Sequence, residues 1–369
     1  MSFKFNIISH CYKSIFLFAI TANCLVAQAF QNDGPYIRYQ NQGQGLEATW
    51  ICDGKVVNKI YPQAAGAIVE PMCGLNQVIH IQETIKTFPA ATQFSAKKFA
   101  AMSDVHGQYQ TMLQLLKNNG IINEELNWVF GDGHLVITGD IFDRGDSVNQ
   151  ALWLLYKLDA QANQAGGALH LLLGNHETMV MANDVRYVNK QYFETTKLLG
   201  KTYPELYDDS SILGRWLRSK PVIIQVNDSL FMHGGLHPDI SKLQLSIPEI
   251  NEQFRNSLGM AKGEIKAQEV LAFLYGSTGP IWYRGYFNTP KVENAALDTL
   301  LEKLKVKRII VGHTTMSGIF SHLQGRVFSI DSDIKSKKGE ILLFENGLFS
   351  RGSLQGERST IPEFSLQEN

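Results

Sequence analysis

The sequence predicts an α/β fold, and three observations carry that prediction. Short apolar runs alternate with helical stretches of ten or more residues, the pattern of βαβ units around a buried sheet. Those runs stop abruptly at Gly, Asp or His, and open α/β sheets place their sites outside the carboxyl ends of strands. The composition, 44% apolar and 19% charged over 369 residues, is that of a globular chain with material for a large core.

The first 29 residues read as an export signal. Lys4 and Lys13 supply positive charge, residues 14–26 form an apolar core, and Ala27-Gln28-Ala29 is a cleavage site. The expected destination is the bacterial periplasm. No other apolar run approaches bilayer length, so no stable membrane insertion is expected after cleavage. Cleavage would remove Cys11 and Cys24, leaving Cys52 and Cys73 either as one disulfide or as two buried thiols. A disulfide there would close a loop of about twenty residues and contribute roughly 3 kcal/mol. Losing two lysines and no acid takes the net charge from −1 to −3. Such a chain lacks the basic footprint of a nucleic-acid binder.

Residues 30–96 read as an N-terminal extension, with strands at 48–52 and 55–61 around the Asp53-Gly54 turn. The catalytic domain is expected at 97–354. Its first half runs strand 98–103, helix 107–119, strand 135–138, helix 147–165 and strand 168–173. Further strands are expected at 222–226, 230–233, 308–311, 327–330 and 341–344. Polar helical insertions at about 181–218 and 239–305 interrupt them, and residues 355–369 form a polar tail expected to fray.

Five blocks at strand ends carry the chemistry. They are Asp104-Val105-His106-Gly107, the run from Gly139 through Asp140 to Asp143-Arg144-Gly145, Gly174-Asn175-His176-Glu177, His233-Gly234-Gly235 and Gly312-His313-Thr314. Asp and His with one Asn carbonyl and no Cys suit two divalent ions such as Mn, Fe or Zn. Asp140 is placed to bridge them, and a pair of ions about 3.5–4 Å apart clamps an in-line phosphoryl transfer by a hydroxide held between them. A cysteine-based phosphatase mechanism is excluded, because no Cys is followed six positions later by Arg.

Taken together, the blocks resemble the phosphoprotein phosphatase group of the metallophosphoesterase superfamily over about residues 97–335. With the export signal and the block Gly279–Tyr286, the chain is similar to the Shewanella-like branch, which includes cold-active enzymes acting on phosphotyrosine. The resemblance implies an α/β/β/α sandwich of two mixed sheets, with the insertions covering the metal face. It implies that Asp104, His106 and Asp140 hold one ion, and that Asp140, Asn175, His233 and His313 hold the other. His176 would be the general acid, oriented by Asp143, while Arg144 and Arg284 would bind phosphate oxygens. Tyr283 and Tyr286 flank Arg284 as candidate substrate contacts, although aromatic pairs in such a block are more often core. Ser103 departs from the usual Gly, His237 from the usual small residue, and the C-terminal Ser-Ala-Pro-Asn-Tyr segment of eukaryotic members is absent.

The expected reaction is hydrolysis of phosphate monoesters on proteins or peptides, with phosphotyrosine favoured. A nucleotide or dinucleoside-polyphosphate hydrolase is the alternative enzyme. A periplasmic phosphate-binding protein without turnover is the alternative of another class; it would not need His176, Asp143 and Arg144. Away from the blocks, His10, His80, His134, His170, His237 and His322 read as ordinary satisfied histidines. Asp331 reads either as a turn residue or as a group orienting a ligand.

Overall fold

The computed structural model describes residue 1 and residues 32–82, 91–289 and 291–364. The expected export signal, apart from residue 1, lies outside the described residues, as does the end of the tail beyond residue 364.

Two six-stranded mixed sheets pack face to face. In the first, Lys98–Met102, His134–Ile137 and Ala168–Leu171 run parallel, and Glu340–Glu345, Leu348–Ser353 and Arg358–Ser359 continue it antiparallel. The second orders Phe320–His322, Val327–Ser329, Arg308–Val311, Ser229–Met232, Ile223–Val226 and Gln93–Phe94. Alternation along each strand sorts side chains between two cores. Phe99, Ala101, Val136 and Leu342 meet Ile224, Phe231, Ile310 and Phe328 between the sheets. Ala100, Met102, Leu135 and Ile137 face outward, beneath the helices Tyr109–Asn118 and Val148–Gln164. Burial on both faces explains why these runs are continuously apolar rather than alternating.

The N-terminal extension adds a strand that the sequence conceals. Asp33–Gln40 pairs with Gly45–Cys52, which pairs with Lys55–Tyr61, giving a three-stranded antiparallel sheet. Cys52 and Cys73 form a disulfide, with Cα atoms 5.2 Å apart. The sheet buries Tyr36, Leu46, Ala48 and Trp50 in the same core as the first outer helices. Trp153 Nε1 donates to the Pro35 carbonyl at 2.9 Å. Two residues of the extension, Gln93 and Phe94, belong to the second sheet instead.

The insertions sit differently from the expectation that both cover the metal face. Lys190–Leu199 and Ile212–Arg218 bury Tyr192, Trp216 and Leu217 against the outer face of the first sheet, alongside the N-terminal sheet. Ile247–Ser257 and Asn294–Leu304 cover the outer face of the second sheet, placing Ile250, Phe254, Leu297 and Leu300 against Ile223, Leu230 and Ile309. Apolar stripes at helical spacing drive both, so these helices complete the sandwich. Among the described residues, the insertions line the metal cleft from loops, at Tyr187, Trp282 and Arg284. The tail is also more structured than expected: Arg358–Ser359 pairs in the first sheet, and Phe364 N–H donates to the Ser321 carbonyl at 2.7 Å.

Candidate metal centre

The five blocks converge at the carboxyl ends of both sheets, and the backbone there is bent in a way that few L residues adopt. Asp104, His106, Asp140, Asp143, Arg144 and His313 all have positive φ, between 46° and 73°. Such conformations cost of order 1–3 kcal/mol each and gather where function requires them. Glycines leave the remaining space. A Cβ on Gly174 would collide with the Asp140 carboxylate, and one on Gly312 with Ser103 Oγ.

Asp140 occupies the middle of the site. Its Oδ2 lies 3.1 Å from His233 Nε2, 3.7 Å from His106 Nε2 and 3.8 Å from His176 Nε2. The tautomers follow from the other ring nitrogens. His106 Nδ1 faces the Phe142 carbonyl and His233 Nδ1 faces the Thr138 carbonyl, each at 2.8 Å. A carbonyl only accepts, so both Nδ1 atoms carry hydrogen and each neutral ring turns an Nε2 lone pair inward. His233 Nε2 then faces Asn175 Oδ1 at 2.9 Å and His313 Nδ1 at 3.1 Å. Acceptors this close need a cation or a proton among them. Charge in the site agrees: burial opposes an imidazolium at His233, but Asp140 and Asp104 outweigh it and push its pKa up to about 9. Burial would raise Asp140, yet His233, His176 and His106 hold it well below the usual carboxylate range.

Two donor groups result, His106 with Asp140 and His176, and Asp140 with His233 and His313, all buried. Oxygen and imidazole donors of this kind fit a pair of divalent ions sharing Asp140. Asp104 stands beside the first group. Its Oδ1 accepts from Ser103 Oγ at 2.5 Å and from His313 N–H at 2.9 Å, leaving Oδ2 toward His106 at 3.8 Å. Ser103, the departure from the usual Gly, therefore fixes a donor carboxylate, and Thr138 Oγ1 donates to Ser103 in turn at 2.8 Å.

His176 Nδ1 lies 2.5 Å from Asp143 Oδ2. Burial disfavours its charged form, but Asp140 and Asp143 outweigh burial and raise its pKa. Arg144 and Arg284 line the same cleft, about 170 Å³, together with Tyr187, Trp282, Thr315 and Lys335. Arg284 donates to the His313 carbonyl at 2.7 Å and to Thr314 Oγ1 at 3.1 Å.

The two expected tyrosine contacts need correction. Tyr286 is fully buried, and its hydroxyl bonds both the N–H and the C=O of Leu236 at 3.0 Å. Tyr283 is 6% exposed and lines a neighbouring groove of about 910 Å³, outside the metal cleft. The two rings, 5.1 Å apart and perpendicular, pack the loop that carries Arg284. His237 accepts from Asp239 N–H at 3.1 Å and is not among the donors. Asp331 accepts from Thr315 Oγ1 at 2.7 Å; burial and then Asp104 push its pKa up to about 7. His134 and His170 satisfy each other at 3.1 Å, away from the centre.

Three residues escaped the sequence reading. Glu177 is buried and accepts backbone N–H groups from Asp140, Ile141 and Gly174 at 2.7–2.8 Å, which holds the bridging loop against the Asn175–Met181 helix. Its place in the Gly-Asn-His-Glu block was the available signal. Tyr187 reaches the cleft from a loop, and Lys335 from the short 3-10 turn Ile334–Ser336; neither segment carries a motif.

The chain matches the calcineurin-like phosphoesterase family over residues 97–316. It is 30% identical to an uncharacterized protein of Schizosaccharomyces pombe, over 64% of this chain and 73% of that one. It is 27% identical to Shewanella-like protein phosphatase 2 of Arabidopsis thaliana, over 64% and 71%. The crystal structure of the cold-active protein-tyrosine phosphatase of a psychrophilic Shewanella species superposes with a TM-score of 0.85 at 41% identity, covering 90% of this chain and 99% of that one. Fold, donor geometry and sequence agree: the chain belongs to the calcineurin-like phosphoesterase family and carries its binuclear metal site.

Proposed function

We propose that the chain is a metal-dependent phosphomonoesterase acting on phosphorylated proteins or peptides, with phosphotyrosine favoured. The observation that carries this reading is the single carboxylate, Asp140 Oδ2, within 3.1–3.8 Å of three imidazoles, beside the His176–Asp143 pair. When bound, two divalent ions in such a site supply Lewis acidity and a nucleophile at neutral pH. Asp104, His106 and Asp140 would hold the first ion, and Asp140, Asn175, His233 and His313 would hold the second. His176 belongs geometrically to the first donor group, but its bond to Asp143 and its place on the cleft wall favour proton transfer from Nε2 to the leaving oxygen. Asp143 fixes the ring so that Nδ1–H donates to it, and Arg144 and Arg284 bind phosphate oxygens from the rim.

The 41% identity to an enzyme described as a protein-tyrosine phosphatase supports the substrate class. The Cys52–Cys73 disulfide supports export to an oxidising compartment such as the periplasm. The test is kcat/KM on matched phosphotyrosine and phosphoserine peptides and on diadenosine tetraphosphate, with defined metals and after chelation. Chelator-sensitive turnover, highest on phosphotyrosine, is expected. Turnover indifferent to chelation, or highest on diadenosine tetraphosphate, would overturn the proposal.

A further inference from the structure

We propose that Tyr187 is the residue by which this site distinguishes aryl from alkyl phosphates, an inference that rests on the phosphomonoesterase reading above. Tyr283 and Tyr286 cannot do so directly, because both are buried outside the metal cleft. Tyr187 lines that cleft and is 42% exposed, so its ring is open to a ligand entering the cleft.

Its position specifies which part of a substrate it meets. The ring centroid lies 5.2 Å from that of His176, at an interplanar angle of 48°. His176 serves the leaving oxygen, so the group attached to that oxygen must pass the Tyr187 face. Trp282, the other aromatic on the cleft, packs against His313 at 5.4 Å, at the second donor group. A phenyl leaving group would stack on Tyr187, whereas a serine methylene offers no ring to pack.

The ring is also held in place before any substrate arrives. The Arg144 and Arg186 guanidinium groups lie 5.5 and 5.4 Å from its centroid. Arg186 is itself fixed by Asp184, through bonds of 2.9 and 2.5 Å. The Tyr187 carbonyl accepts Arg144 N–H at 2.9 Å, and Asn189 Nδ2 donates to the Arg144 carbonyl at 2.8 Å. The segment thus grips both backbone groups of Arg144, whose φ is 65°. An aromatic wall ordered in advance costs less entropy on binding than a mobile one.

Tyr187 could instead serve only to support Arg144, in which case its removal would weaken all phosphate esters alike. The test therefore compares Tyr187→Ala, Tyr187→Leu and Tyr187→Phe with the wild type. It reads the ratio of kcat/KM for matched phosphotyrosine and phosphoserine peptides, and separately the binding of phenylphosphonate against methylphosphonate by calorimetry. Ala and Leu should lower both ratios by about 3- to 10-fold, the range of an aromatic pair, and Phe should keep them. A parallel loss on both substrates with unchanged ratios would overturn the assignment, as would a wild type without any phosphotyrosine preference. Failure of the wild type to hydrolyse any monoester would instead remove the proposed function, and this inference with it.

Discussion

The metal face and the N-terminal buttress are built from the same chain on opposite principles. The metal face is made of short blocks whose backbone is locally forced, with six non-glycine residues at positive φ and glycines filling each close approach. The buttress, the N-terminal sheet with the Lys190–Leu199 and Ile212–Arg218 helices, has ordinary secondary structure held by distant partners. Arg38 reaches Asp208 at 2.9 Å, and Thr195 Oγ1 reaches Asp33 at 2.8 Å, across more than 150 residues of sequence. Local constraint shapes the chemistry, while long-range packing holds the platform beneath it. Substitutions in the two regions should therefore fail in different ways.

The largest effect on turnover with folding intact should come from the metal face. His176→Asn removes the proton donor and should lower kcat by roughly 10²–10⁴-fold. Its thermal midpoint should stay near that of the wild type. The loss should shrink for nitrophenyl phosphate, whose leaving group needs little protonation. Equal losses on good and poor leaving groups would reduce His176 to a positioning or ligand role.

Where the buttress meets the Val148–Gln164 helix, Lys220→Met, two residues past the Ile212–Arg218 helix, should do the reverse. Lys220 Nζ lies 2.8 Å from Asp159 Oδ2, which also accepts from Trp216 Nε1 at 2.9 Å. Removing the cation leaves a part-buried carboxylate with only Trp216 Nε1 as a partner, a loss near the low end of the roughly 3–5 kcal/mol typical of a broken buried pair, with turnover of the folded fraction retained. The pH dependence has a definite sign. Burial would raise Asp159, but Lys220 and Trp216 outweigh it and lower its pKa. The pair's stabilisation is thus complete above the ordinary value of 3.8 and is lost as pH falls through the lowered folded value. In denaturation curves, the stability gap between wild type and variant should be constant above the ordinary value of 3.8 and narrow as pH falls below it. A gap that stays constant below that value as well would remove the ion pair as its cause.

The smallest of these effects concerns the disulfide. Reducing Cys52–Cys73 should lower stability by roughly 3 kcal/mol and leave kcat largely unchanged. A comparable fall in turnover would show that the N-terminal sheet and the metal face are coupled, against the division drawn above.

The same division explains what the sequence made legible. The ligand blocks could be read because each holds its chemistry within a few residues. Glu177 stood inside a recognised block, but its role depends on backbone donors more than thirty residues away. The strand Asp33–Gln40 opens with Asp33-Gly34-Pro35, which reads as a turn, and its burial on several sides erases any alternation. Gln93–Phe94 is too short to carry a period. Tyr283 and Tyr286 misled because their proximity to Arg284 in sequence gave no information about which way the rings point. Tyr187 was invisible for the converse reason: only the fold brings it beside His176.

The central claim is that one carboxylate, Asp140, joins two donor groups into a single binuclear site. Counting ions by mass spectrometry, in wild type and in Asp140→Asn at matched folding, tests it most directly. The account predicts two divalent ions per wild-type chain and loss of both, with nearly all activity, in the variant. Two ions retained by a folded Asp140→Asn chain would contradict it.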